Sequence, residues 1–255
     1  MEILKILKFL SKMENLSKKE MMMELQKVLV TGATGSIGEA IVKEYAKNGY
    51  FVYVHYNSNK DKAQEILDSI EHGELITFNM KDKESIKNAL VDLDVDVLIN
   101  NAGIIKDNLF FFMEDDEWED VINTNLTGLY YITKLISKNM MMNKKGSIVN
   151  VASVSGISGN SGQANYSASK GGVIALTKTL SIELGRYKIR VNALAPGIIE
   201  SEMIENIPNK KELKKAIPLG RFGKADEVAK CAYFIGHDAT YVSGEVLNIS
   251  GAMVR

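Results

Sequence analysis

The chain has 255 residues, 45% of them hydrophobic, and balances 31 Lys and Arg against 32 Asp and Glu for a formal charge of −1. That balance gives no field able to gather nucleic acid or an anionic membrane, so neither is expected as a partner. Cys231 is the only cysteine, which excludes an intrachain disulfide, and His55, His72 and His237 lack metal-ligand spacing and are assigned no role, so no metal site is expected.

Residues 1–24 read as an amphipathic extension, with Ile3, Ile6, Leu7, Leu10 and Met13 at helical spacing and Lys5, Lys8 and Lys12 opposite them. No run approaches the ~20 apolar residues that cross a bilayer, and no secretory signal core is present, so a cytoplasmic location is expected. From residue 25 to 255 the pattern is that of one domain. β-branched runs at 28–30, 51–55, 75–78, 95–99, 147–151, 189–194 and 245–249 alternate with helical segments. Strands alternating with helices of ten or more residues predict an α/β fold, a doubly wound parallel sheet of about seven strands with helices on both faces.

After the first strand comes Thr31-Gly-Ala-Thr-Gly-Ser-Ile-Gly38, followed by helical residues 39–47. A strand, a glycine turn and a helix in this order let backbone approach a pyrophosphate at a helix N-terminus, as in Rossmann-type domains. The second strand ends His55-Tyr-Asn-Ser-Asn-Lys60 without a carboxylate. An acid there would bind ribose hydroxyls and repel a 2′-phosphate, whereas Ser58 and Lys60 can bind one, so NADP is favoured and NAD is the alternative. Further along, Ser153 closes a strand. Tyr166 and Lys170, four apart at the start of a helix running to Leu184, share one helix face. A nearby ammonium stabilises phenolate and makes Tyr166 a candidate proton donor to a carbonyl, which Ser153 can polarise.

With Asn100-Asn-Ala-Gly103, Asn125 in Thr124-Asn-Leu-Thr-Gly128, and Pro196-Gly197, these motifs stand in the order of the short-chain dehydrogenase/reductases, which the chain resembles over residues 26–255. The resemblance implies that Tyr166 is the general acid/base, that Lys170 lowers its pKa and bonds the nicotinamide ribose, that Ser153 orients the substrate oxygen, and that Asn125 holds a water in a proton relay. It implies a cofactor site formed by Gly32, Thr34, Gly35, Ser36, Ile37 and Gly38, by Tyr56, Asn57, Ser58 and Lys60, and by Asn79 and Met80. Asn101, Ala102 and Gly103 complete it on the adenosine side, and Pro196, Gly197, Ile199 and Ser201 near the nicotinamide. One departure is Ser36 in place of the second glycine of short members. Another is Gly35 where NADP-dependent members often carry a basic residue, which leaves Lys60 as the main phosphate candidate.

Three stretches, 100–109, 162–166 and 196–203, together with 221–228 and 241–244, are most similar to bacterial 3-oxoacyl-[acyl-carrier-protein] reductases. That similarity implies NADPH-dependent reduction of a 3-oxoacyl thioester in fatty-acid synthesis, and a substrate lid at about 198–217 containing Ile198, Ile199, Met203, Ile204, Ile207 and Pro208. It also implies docking of an acidic acyl carrier protein at Lys144, Lys145, Arg186 and Lys188. A homotetramer would pair helices at about 118–142 and 166–184 across a two-fold axis. Action on an acyl-CoA, a sugar or a small alcohol is the alternative, as is a non-catalytic dinucleotide sensor.

Overall fold

The computed structural model describes residues 25–201 and 210–254. The extension at 1–24 and lid residues 202–209, with Met203, Ile204, Ile207 and Pro208, lie outside the described residues.

Seven strands form one parallel sheet in the order β3-β2-β1-β4-β5-β6-β7. They are β1 (Lys27–Val30), β2 (Phe51–Tyr56), β3 (Gly73–Thr77), β4 (Val97–Asn100), β5 (Gly146–Val151), β6 (Ile189–Pro196) and β7 (Val246–Ile249). The helices are α1 (Ser36–Lys47), α2 (Lys60–Asp68), α3 (Lys83–Leu90), α4 (Asp115–Ile122), α5 (Leu129–Asn143), α6 (Ser155–Ser158), α7 (Ala164–Gly185), α8 (Lys210–Ala216) and α9 (Ala225–Tyr233). Alternation along β1 divides the core. Val28 and Val30 face α1, α2 and α9 through Ile41, Val42, Ile66 and Val228, while Leu29 joins Ile86, Leu90, Ile132, Ile136 and Met140 from α3 and α5 on the other face. The continuous run Val-Leu-Ile in β4 is buried throughout, as a strand covered on both sides requires, whereas β2, β5 and β6 also bury the polar His55, Asn150 and Asn192. Among the described residues no helix is long and apolar enough to cross a membrane.

The strand order reverses between β1 and β4, and a crevice forms there at the carboxyl ends of the strands. The expected strands are all present, with ends displaced by one or two residues. β4 begins two residues after Val95, and the Asp96 carboxylate just ahead of it accepts the Lys27 N–H at 2.9 Å. The helix expected at about 118–142 is not continuous. A π turn at Asn123–Gly128 separates α4 from α5, and π turns of this kind frequently mark functional sites.

Candidate active site

Lys170 lies on α7 with 4% of its surface exposed, and its Nζ donates to the Val151 carbonyl at 2.7 Å. Burial pushes its pKa down to about 8. Four residues earlier, Tyr166 has its ring centroid 5.7 Å from that ammonium. Burial raises the phenol pKa, while the adjacent Ser153 hydroxyl draws it back down and the Asp107 charge adds to the rise. The shift of the phenol comes from burial, Ser153 and Asp107, and the Lys170 ammonium lies over the ring. Ser153 stands just past β5, nearly buried, and its Oγ accepts the Ser155 N–H at 3.1 Å.

Asn125 occupies the π turn and is fully buried. Its Oδ1 accepts the Ile104 N–H at 2.8 Å, and its Nδ2 donates to the Ile104 carbonyl at 3.0 Å and to Ser169 Oγ at 3.2 Å. This clamp ties the loop after β4 to the helix that carries Lys170. A Cβ on Gly103 would stand 3.2 Å from Asn125 Oδ1 and 3.4 Å from Lys170 Nζ, so Gly103 lets backbone pass close over these two side chains.

Asn165 had no role in the sequence reading, although it sits beside Tyr166. It is wholly buried and donates to the carbonyls of Lys106 (2.9 Å) and Glu117 (3.1 Å), while its Oδ1 accepts the Tyr166 N–H at 2.7 Å. The start of α7 is thereby fixed to the 104–108 loop and to α4. An Asn preceding the Tyr was the available signal, but its partners are distant in sequence.

On the other side of the crevice, Gly32 has φ +63°, and a Cβ there would lie 2.7 Å from the Ala102 Cα. Asn101 Nδ2 donates to the carbonyls of Thr31 and Gly32 at 2.9 and 3.0 Å, and Thr31 Oγ1 accepts the N–H groups of Asn101 and Ala102. The loops after β1 and β4 are so joined into one floor. Gly38 packs where a Cβ would stand 2.3 Å from the Gly32 carbonyl, which draws α1 against the turn. Gly35 precedes α1 without a side-chain cap, and Gly35 and Ser36 are exposed.

A short-chain dehydrogenase family model matches residues 26–212. The chain belongs to the short-chain dehydrogenase family. It is 40% identical over 237 residues to a 3-oxoacyl-[acyl-carrier-protein] reductase FabG of Staphylococcus epidermidis, covering 88% of this chain and 97% of that one. Reductases of the same name from Thermotoga maritima (41% over 250 residues; 92% and 100% covered) and Haemophilus influenzae (38% over 235; 88% and 96%) are similar.

As a short-chain dehydrogenase the chain is an NAD(P)-dependent oxidoreductase, and its residues fit a dinucleotide: of the three glycines in the 32–38 turn, Gly32 and Gly38 admit no added side chain, and the N–H groups opening α1 lack a side-chain cap. Thr34 belongs to that turn. Tyr56 ends β2, and Asn57, Ser58 and Lys60 follow it, all three exposed. Asn79 turns its Oδ1 to the Lys81 N–H, and Met80 is buried against the backbone at Gly128. Pro196 ends β6, the Gly197 N–H donates to Ile249 at 3.0 Å, Ile199 is buried, and Ser201 is partly exposed.

The four candidate docking cations are exposed but lie at the amino ends of β5 and β6, opposite the edge that carries Ser153. Six residues of β5 separate the two edges, about 20 Å at strand rise. Lys145 is paired with Asp96 at 2.6 Å. Arg186 stacks on the Tyr187 ring at 5.1 Å, and Lys144 and Lys188 adopt positive φ.

Proposed function

We propose that this short-chain dehydrogenase reduces the 3-keto group of a 3-oxoacyl thioester held on acyl carrier protein, with NADPH as reductant, in fatty-acid synthesis in the cytoplasm. The observation that carries the reading is Tyr166 standing between the Ser153 hydroxyl and the buried Lys170 at the carboxyl edge of the sheet, in a chain about 40% identical to reductases so named over most of its length.

When bound, the nicotinamide supplies a hydride to the keto carbon. Tyr166 donates its phenolic proton to the carbonyl oxygen, and Ser153 donates a hydrogen bond to the same oxygen, so the charge developing there meets donors already in place. Lys170 carries the positive charge that holds the resulting phenolate and reaches the ribose of the cofactor. Asn125 fixes the loop against which this pair is set and serves the proton relay to solvent. Gly32 to Gly38 would hold the pyrophosphate, Asn79, Met80, Asn101, Ala102 and Gly103 the adenosine side, and Pro196, Gly197, Ile199 and Ser201 the nicotinamide side. Tyr56, Asn57, Ser58 and Lys60 would bind the 2′-phosphate. The absence of an acid after β2 supports NADPH over NADH.

Lys144, Arg186 and Lys188 serve an acidic carrier. The enzyme would act as a homotetramer built on α4, α5 and α7. The test compares acetoacetyl-carrier protein with acetoacetyl-CoA and simple ketones, using NADPH and NADH. Turnover highest with the carrier-bound substrate and NADPH supports the reading, and turnover only with a simple ketone or sugar assigns another carbonyl.

A further inference from the structure

His55 points from β2 into the space between two walls of the crevice, 1% exposed, with both ring nitrogens engaged. Its Nδ1 stands 3.0 Å from the Gly32 N–H, and its Nε2 stands 3.0 Å from the Phe78 carbonyl. A backbone N–H can only donate and a carbonyl can only accept, so Nδ1 is the bare nitrogen and Nε2 carries the proton. The ring also stacks on Phe78 with centroids 3.8 Å apart. One side chain therefore joins the glycine turn after β1 to the segment after β3 that leads into Asn79 and Met80. The backbone carbonyl of His55 accepts the Ala33 N–H at 2.9 Å, which leaves the side chain to hold Gly32, the residue at positive φ. Burial keeps the ring neutral, with its pKa brought down to about 4. An aliphatic residue would fill the same volume but leave the Gly32 N–H without its acceptor.

We propose that His55 is a positioning residue for the dinucleotide, fixing Gly32 in the left-handed conformation from which the following amides are presented to the pyrophosphate. This rests on the dinucleotide reading of the glycine turn. His55→Leu removes the acceptor and keeps an apolar side chain. His55→Asn keeps an acceptor, because its Oδ1 occupies the place of Nδ1 on the same stem. NADPH dissociation constants measured by nucleotide fluorescence are expected to rise about 5- to 150-fold in His55→Leu, the range for an orphaned buried N–H, and to stay close to wild type in His55→Asn. At saturating NADPH, kcat changes far less than the KM for NADPH. In cofactor-free wild type, a through-bond nitrogen–nitrogen coupling between Gly32 N and His55 Nδ1 is expected. Unchanged NADPH affinity in His55→Leu, equal weakening in both variants, or no coupling in wild type overturns the proposal. Wild type that shows the coupling yet binds neither NADPH nor NADH would overturn the cofactor reading instead, with the hold of His55 on the turn intact.

Discussion

Replacing Lys170 with Met should abolish turnover while making the protein less sensitive to pH in its stability. The ammonium is 4% exposed, with a pKa near 8 against 10.5 for a free lysine. At about 1.4 kcal/mol per pH unit, the folded state bears roughly 3 kcal/mol for charging this group at neutral pH. The sign follows from proton counting. Between about pH 8 and 10.5 the unfolded chain binds the proton and the native protein does not, so stability from this group rises with pH across that window and the penalty is complete below it. The Met side chain carries no such penalty, but it strands the Val151 carbonyl at a cost of about 1–3 kcal/mol, so the two nearly offset at pH 7. Urea unfolding followed by Trp118 fluorescence at pH 7 and pH 10 measures this. Wild type should gain about 2–3 kcal/mol relative to Lys170→Met on going to pH 10. A gap that does not change with pH would refute the burial argument.

Asn165→Ala strips the acceptor from the Tyr166 N–H and two donated hydrogen bonds from the part-buried carbonyls of Lys106 and Glu117, so it should lower stability by about 1–3 kcal/mol and reduce kcat more than it changes cofactor affinity; steady-state kinetics with chemical denaturation checks both. Gly38→Ala places a methyl 2.3 Å from the Gly32 carbonyl and should weaken dinucleotide binding severely while Tyr166 and Lys170 stay in place, which calorimetric titration would show. Lys60→Glu should cut the preference for NADPH over NADH by about tenfold or more, read as the ratio of kcat/KM values.

Legibility in the sequence followed the range of each interaction. The strands were visible because a parallel strand covered on both faces needs an apolar run, and the glycine turn because only glycine tolerates φ +63° with the Ala102 backbone 2.7 Å away. Tyr166 and Lys170 were visible because they are one helical turn apart. The break in the helix at Asn123–Gly128 was not, since its cause is the clamp between Asn125 and Ile104, 21 residues apart. His55 and Asn165 were missed for the same reason: both ring partners of His55 lie 23 residues away and two of the three backbone partners of Asn165 lie 48 and 59 residues away, and neither residue type carries that role by itself. The basic residues near 144 and 188 were visible as charges, whereas their place at the far sheet edge depends on the strand direction.

Proton delivery by Tyr166 to a 3-oxoacyl carbonyl is the step on which the proposed function rests. It is tested most directly by following NADPH absorbance with acetoacetyl-carrier protein in wild type and Tyr166→Phe, with NADPH affinity measured alongside. Turnover in wild type and a fall of about 10²- to 10⁴-fold in the variant, with NADPH binding retained, are expected. A Tyr166→Phe protein that turns over at the wild-type rate would contradict it.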